Sequence, residues 1–456
     1  MDARPCRESN PIRSVLFTDL YELTMARAYA AEGMDQSSVF ELFFRELPPG
    51  RNFLVAAGLE DVLDALESLG VTADELEYLR GLDLFPEAFL EQLRGFRFRG
   101  EVWAMPEGTV VFPHEPLVQV VAPILEAQLI ETLVLNQVHF PSVIASKAAR
   151  VIAAAAGRDV IEFGARRAHG AEAALKVARA SYLAGASGTS NVLAGKRYGI
   201  PVFGTMAHSY VQAHDDEAAA FAAFAGLYPE TTLLVDTYDT LAGVRRVIEL
   251  ARRLGDRFRV RAVRLDAGDL GELARQARRM LDAAGLSSVR IFASGGLDEY
   301  EVAAFVEAGA PIDAFGMGTK MAVSEDAPSL DMAYKLVEYA GRPRMKLSTR
   351  KVLYPGRKQV VRVVEGGRMA RDVIGRHDEA LEGEPLLRPV MRGGVRLADG
   401  RVGLEEARAH ARCELERLPE AVRSLAAAEV PYRVDVSAAL RADLDALRRA
   451  LEASQG

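Results

Sequence analysis

An α/β fold centred on a β/α barrel is predicted by two observations. From about residue 146 the chain alternates short apolar runs with alanine-rich helical stretches, the rhythm of a parallel sheet covered on both faces. Seven such runs follow one another, which suits a β/α barrel better than a short open sheet. A third feature agrees with them. Each run ends in small, polar or ionisable residues, and barrels carry their chemistry where strands end.

Along the chain, Asp19 to Ala31 has helical spacing, with Leu20, Leu23, Met25 and Ala28 apolar. Val39 to Leu47 is rich in Phe and partly alternating, hence a strand, closed by Pro48-Pro49-Gly50. Glu101 to Val121 reads as short strands divided by Pro106, Gly108 and Pro113. Pro116 to Val138 is the most apolar stretch, but it carries Gln119, Glu126, Gln128, Glu131, Asn136 and Gln137. That polar load excludes a membrane span and predicts a buried strand followed by a helix. The barrel runs are Val160–Phe163, Tyr182–Ala184, Pro201–Phe203, Leu233–Val235, Ala262–Leu265, Val289–Phe292 and Ala314–Phe315. Helices are expected between several of them, at Glu217 to Ala225, Leu241 to Leu254 and Gly271 to Ala284. Beyond Met345 a basic, strand-like stretch (Lys346 to Val364) precedes amphipathic helices over Glu405 to Leu418 and Val436 to Leu451. These shifts divide the chain into 1–145, 146–340 and 341–456.

Composition narrows the class. Of 456 residues, 49% are apolar and 26% charged, a globular balance. The net charge of −8 argues against a nucleic-acid coat, though a local basic pocket can still hold phosphates. Two cysteines, Cys6 and Cys413, build neither a disulfide framework nor a Cys-rich zinc site. With no secretory signal in Met1 to Arg13, a cytoplasmic protein is expected.

The ends of the runs hold the candidate chemistry. They read Glu162-Phe-Gly-Ala-Arg166, Gly188-Thr189-Ser190-Asn191, Gly204-Thr-Met-Ala-His208, Asp236-Thr-Tyr-Asp239, Arg264-Leu-Asp266, Ser294-Gly295-Gly296 and Gly316-Met-Gly318-Thr319-Lys320. Glycine turns let backbone N–H groups converge on an anion, and barrels often bind phosphate at their last two strands. Asp236 and Asp266 suit magnesium, which takes a few carboxylates plus phosphate oxygens, or they simply cap the helices that follow. Arg166 and Arg264 suit a carboxylate or phosphate clamp, or an internal salt bridge. His208 is a reactive histidine or a capping one, and Tyr21 alone reads as a core tyrosine. Three classes stay open on these grounds: transfer of a ribosyl phosphate, aldol or isomerase chemistry on a phosphosugar, and a non-enzymatic nucleotide sensor. No Lys stands at the first six strand ends, which disfavours a Schiff-base enzyme.

The motifs resemble those of the nicotinate phosphoribosyltransferase family over most of the chain. They are Thr18-Asp-Leu-Tyr-Glu-Leu-Thr-Met25, Phe40-Glu-Leu-Phe-Phe-Arg45, Pro49-Gly-Arg-Asn52, Glu162-Phe-Gly-Ala-Arg-Arg167, Gly188-Thr-Ser-Asn191, Gly204-Thr-Met-Ala-His-Ser209, Asp236-Thr-Tyr-Asp239, Arg264-Leu-Asp-Ala-Gly268 and Tyr354-Pro-Gly-Arg-Lys358. The resemblance implies an irregular, TIM-like β/α barrel with a mixed α+β domain formed from the N- and C-terminal segments. It implies a homodimer with shared active sites, and nicotinate, phosphoribosyl pyrophosphate and ATP as substrates with Mg2+. Products would be nicotinate mononucleotide and pyrophosphate, in NAD salvage.

Roles implied by the resemblance follow position by position. Phe163, with Tyr21 of the neighbouring subunit, would sandwich the pyridine ring. Arg166 and Arg264 would line the base and pyrophosphate region. His208 would be phosphorylated by ATP. Asp236 and Asp266 would serve magnesium and ribose. Ser294, Gly295, Gly296, Gly316, Gly318 and Thr319 would hold the 5′-phosphate, with Thr189 also on the phosphoribosyl side. Arg45, Lys346, Lys351, Arg357 and Lys358 would reach phosphates of the neighbour's site. Ser190 stands where the related nicotinamide enzyme has an acidic residue, which favours the acid over the amide as substrate. Family members with a C-terminal Cys cluster bind zinc; this chain lacks the cluster, so no zinc is expected. Nicotinamide and quinolinate enzymes are the nearest alternatives.

Overall fold

The computed structural model describes residues 11–347 and 353–454. The chain forms two compact units, one from Ile144–Pro328 and one from the segments on either side of it.

The middle unit is an α/β unit on a six-stranded parallel sheet. Its strands lie in the order Gly188–Thr189, Asp159–Glu162, Ala314–Met317, Arg290–Ser294, Ala262–Leu265, Thr232–Leu234. Each strand is short because its apolar core, such as Val263, Leu265, Ile291, Ala293 and Phe315, is buried, and the next residues are glycine or polar. Helices Thr240–Leu254 and Leu270–Ala283 begin soon after their strands, as the apolar periodicity predicts. Helix Glu217–Leu227 runs two residues beyond its expected end.

Two expected strands differ. Tyr182-Leu-Ala184 is the last turn of the helix Ala171–Ala184, whose residues from Val177 on are all buried. The strand of that repeat is Gly188–Thr189, which has no apolar run to announce it. Pro201-Val-Phe203 makes only a parallel bridge from Val202 to Thr189. Proline supplies no N–H to a ladder, and Val202 and Phe203 stay exposed.

The terminal unit centres on a seven-stranded antiparallel sheet in which Ser37–Phe44 lies between Met332–Tyr339 and Val118–Pro123. That pairing places residues 329–340 with the terminal segments. Strands Glu101–Ala104, Val110–Val111 and Val118–Pro123 match the stretch divided by Pro106, Gly108 and Pro113. Pro116 to Val138 is a strand followed by two helices, the second being Glu131–Ala155 with Pro141 inside. Helices Leu20–Ala31, Leu404–Arg417 and Ala438–Ala453 lie where the periodicity puts them. Among the described residues no helix is long and apolar enough to cross a membrane.

Candidate active site

In a parallel sheet all carboxyl ends lie along one edge, so six strand ends of the middle unit deliver their side chains to one place. Asp266 is the hub. Its Oδ1 accepts from Arg264 Nη2 at 2.6 Å and from the Ser294 hydroxyl. Arg264 Nε donates to the same Ser294 Oγ at 2.7 Å, closing a three-residue ring across two strands. The Asp266 backbone N–H donates to Asp236 Oδ2 at 2.8 Å, which ties in a third strand. His208 approaches from the next loop, with Nε2 at 4.0 Å from Asp266 Oδ2 and Nδ1 at 3.2 Å from Thr237 Oγ1. Burial pushes the Asp266 carboxyl up. The Ser294 hydroxyl and Arg264 guanidinium outweigh it, with a further pull from His208, and hold it below the ordinary carboxylate range.

The two aspartates are not helix caps. Asp239 caps its helix by accepting from the Ala242 N–H at 2.6 Å, and Asp269 does the same for Glu272 at 3.1 Å. Capping is thus done three residues downstream of each site aspartate, which leaves Asp236 and Asp266 for other work. Among the described residues Asp236 Oδ1 is buried with no hydrogen-bond partner, so it wants a cation or a further donor. Among the described residues no three His, Cys, Asp or Glu side chains are grouped to hold a metal ion. A site offering only two carboxylates suits Mg2+, which draws its other ligands from phosphates and water.

Phe163 follows its strand through an N–H bond to the Met317 carbonyl at 2.7 Å. Its ring meets Phe292 edge-on at 5.6 Å, and the Arg264 guanidinium lies 5.5 Å from its centroid. Gly316 makes room for the ring, since a Cβ there would sit 2.9 Å from it. Gly295 has φ +107, and a Cβ on it would lie 1.9 Å from the Asp266 carbonyl oxygen, so only glycine fits. Gly318 leads into the short helix Thr319–Ala322. Lys320 turns aside to Asp298 at 2.9 Å and Glu301 at 3.0 Å, so its charge is already matched. On one face of the sheet, toward the start of the strands, a cavity of about 290 Å³ is lined by Ile161, Phe163, Phe203, Ala262, Phe292 and Ala314.

Ser190 is half-buried, and its N–H donates to the Glu162 carbonyl at 2.9 Å. Thr189 is fully buried and donates from Oγ1 to Glu162 Oε2 at 2.5 Å. The buried Glu162 was only part of a motif in the sequence. Nothing there showed that its side chain would join two strand ends, and the same is true of Thr237.

Arg166 is exposed in the turn Ala165–Arg167, with no hydrogen bond or ion pair among the described residues. Tyr21 belongs to the terminal unit and is 45% exposed. Arg45, in the same unit, pairs with Asp331, and Lys346 is exposed. Arg357 stacks on Trp103 and donates to Gln119. Lys358 departs from its expected role: it is buried, paired with Glu41 at 2.8 Å and bonded to the Tyr354 and Gly356 carbonyls, so its charge serves the core. Lys351 lies outside the described residues.

Residues 16–139 match the model of the nicotinate phosphoribosyltransferase N-terminal domain, and residues 159–351 match that of the nicotinate phosphoribosyltransferase family. The chain is 60% identical over 435 residues to nicotinate phosphoribosyltransferase pncB2 of Mycobacterium tuberculosis, covering 95% of this chain and 94% of that one. It is 43% identical over 383 residues to the nicotinate phosphoribosyltransferase of Bacillus subtilis, covering 82% and 78%. Its fold is similar to the crystal structure of human nicotinic acid phosphoribosyltransferase, with a TM-score of 0.84 and 31% identity over 94% of this chain and 99% of that one.

Proposed function

The chain belongs to the nicotinate phosphoribosyltransferase family, and from that premise we propose how its strand-end residues carry the reaction. The protein joins nicotinate to the ribosyl phosphate of phosphoribosyl pyrophosphate, giving nicotinate mononucleotide and pyrophosphate in the salvage of NAD. The observation that carries the reading of the site is the Arg264–Asp266–Ser294 ring beside the unpartnered oxygen of Asp236.

The pyridine nitrogen attacks the anomeric carbon as the bond to the pyrophosphate oxygen breaks. Positive charge develops on the ribose and then on the ring. Such a step needs positioning and neutralisation of the leaving group more than a strong base. Asp236 and Asp266 would hold Mg2+ and the ribose hydroxyls. Bound there, the ion would neutralise charge on the departing pyrophosphate. Asp266 is suited to this because Arg264 and Ser294 keep it ionised and oriented. Ser294–Gly296 and Gly316–Thr319 hold the 5′-phosphate and Phe163 stacks on the pyridine, whereas Thr189, expected on the phosphoribosyl side, is fully buried with its hydroxyl on Glu162 and supports the Ser190 turn instead. Arg264 and Arg166 neutralise the base carboxylate or the pyrophosphate, while Ser190 can donate to a carboxylate that an acidic residue would repel.

ATP enters at His208. Transfer of its γ-phosphoryl group to the imidazole releases ADP, and water later releases phosphate. The modified ring gains about 1.5 to 2 negative charges. At 4.0 Å from Asp266 that charge alters affinity at the carboxylate pair, which couples hydrolysis to turnover. The six parallel strands belong to an irregular β/α barrel, and the terminal segments to a mixed domain. In support, the Thr205 hydroxyl, just beyond the segment bridged to one edge of the sheet, donates to the Thr232 carbonyl on the other edge at 2.7 Å. The enzyme works in the cytoplasm as a homodimer in which Tyr21, Arg45, Lys346 and Lys351 serve the neighbour's site, without nucleic acid or membrane.

Purified protein given phosphoribosyl pyrophosphate and nicotinate, nicotinamide or quinolinate, with and without ATP, tests the reading. Nicotinate should turn over fastest, and His208→Ala should lose both ATP stimulation and coupled ATP hydrolysis. A faster rate with nicotinamide overturns the role of Ser190. Intact ATP coupling in the His208 variant removes the phosphohistidine.

A further inference from the structure

Glu162 is fully buried, yet among the described residues no cation meets it. Its side chain is not idle. Oε1 accepts from the Gly164 N–H in a short bond, and Oε2 accepts from the Thr189 hydroxyl at 2.5 Å. The Thr189 oxygen also accepts from the Asn191 N–H at 2.9 Å, so the hydroxyl ties Glu162 to the start of the next helix. The Glu162 backbone carbonyl accepts from the Ser190 N–H at 2.9 Å. One residue therefore fixes the turn at Phe163-Gly164 through one carboxylate oxygen and the turn at Thr189-Ser190-Asn191 through the other. Burying a carboxylate without a counter-charge is costly, and burial duly pushes this one up against the pull of its two donors. A merely structural link would be made more cheaply by a neutral side chain.

We propose that Glu162 is the positioning residue of the pyridine pocket, holding the ring-stacking Phe163 and the substituent-reading Ser190 in register with each other through its two carboxylate oxygens. This rests on the reading of Phe163 and Ser190 given above. The chemistry is directional. A carboxylate accepts at both oxygens, whereas the amide of glutamine accepts at one and presents N–H at the other. An NH2 cannot accept from the Gly164 N–H, so glutamine keeps its oxygen there and turns its NH2 to the Thr189 oxygen, which has a lone pair left beside the Asn191 bond. The Thr189 proton then has no acceptor at residue 162, its charge-assisted bond to the carboxylate is lost, and the second turn is loosened while the first is kept. The 5′-phosphate loops receive no bond from the Glu162 side chain, so the effect is confined to the base.

The test is steady-state kinetics of Glu162→Gln with nicotinate and phosphoribosyl pyrophosphate varied separately, beside Thr189→Val and Ser190→Ala. Misplacement of a binding group by about 1 Å costs up to ~100-fold. Glu162→Gln should raise KM for nicotinate by about tenfold or more, leave KM for phosphoribosyl pyrophosphate within about twofold, and narrow the preference for nicotinate over nicotinamide. Thr189→Val should reproduce the nicotinate KM and preference changes, and the double variant should add little to either single one. The proposal is overturned if both KM values rise together, if nicotinate KM stays unchanged, or if the two substitutions simply multiply. Should Glu162→Gln not fold, the Thr189→Val split between the two substrates decides on the same terms. Ser190→Ala separates the two layers. If it alone leaves nicotinate KM and preference untouched, the reading of Ser190 fails. If it changes them while Glu162→Gln does not, only the role of Glu162 fails.

Discussion

Replacing Arg264 by lysine keeps the charge and removes the geometry. In the structure Arg264 uses two nitrogens at once, Nη2 on Asp266 at 2.6 Å and Nε on Ser294 at 2.7 Å, and lays its plane 5.5 Å from the Phe163 ring. Its side chain is only 14% exposed, so water compensates little. A lysine ammonium can take one of the two bonds, not both from one rigid fork. The bond lost to Ser294 is charge-assisted, worth about 1.5–3 kcal/mol. The ring contact adds about 0.5–1 kcal/mol, part of which lysine retains. Together they come to about 2–3 kcal/mol, or roughly 30- to 150-fold in kcat/KM for nicotinate. The assay is initial-rate formation of nicotinate mononucleotide at saturating phosphoribosyl pyrophosphate, with thermal unfolding as a check that the variant is folded. A folded Arg264→Lys enzyme within threefold of the parent would refute the claim that the fork, not the charge alone, organises the site.

Two further outcomes follow from the same edge of the sheet. Gly295→Ala forces a Cβ to 1.9 Å from the Asp266 carbonyl at a φ of +107, so the turn must shift; KM for phosphoribosyl pyrophosphate should rise about tenfold or more while nicotinate KM moves little, as separate substrate titrations will show. The depressed carboxyl of Asp266 stabilises the fold above its unfolded pKa of about 3.9 and loses that contribution only as pH falls through its lower folded value. Melting temperature should therefore fall less steeply between about pH 5 and pH 3 in Asp266→Asn than in the parent, and parallel curves would remove the Arg264–Asp266 pair as a source of stability.

How much of this was legible beforehand depended on what each residue does locally. The strand ends at Phe163, Asp236, Asp266, Ser294 and Gly316 could be read because a buried strand is an apolar run and its end is a sudden loss of apolarity. The same rule failed at Tyr182-Leu-Ala184, since a helix buried on all sides also yields an apolar run. It was blind to Gly188–Thr189, a two-residue strand held by its neighbour Asp159–Glu162 rather than by its own composition. Lys358 looked like a free basic residue because the partner that neutralises it, Glu41, is far away in sequence.

The aspartates show most sharply where sequence stops. Asp236 and Asp239, like Asp266 and Asp269, stand three residues apart after a strand, and either member of each pair can cap the helix that follows. Composition cannot choose between them. Helix start does: with the first helical residues at Thr240 and Leu270, only Asp239 and Asp269 sit at the capping position. The earlier aspartate of each pair is then left at the strand end free of capping, Asp266 bonded to Arg264 and Ser294, Asp236 with one oxygen on the Asp266 N–H and the other buried and unpartnered among the described residues. A carboxylate oxygen buried without a donor is a cost to stability, and its place at the strand end beside Asp266 is what makes a ligand, not the helix, the reason for it.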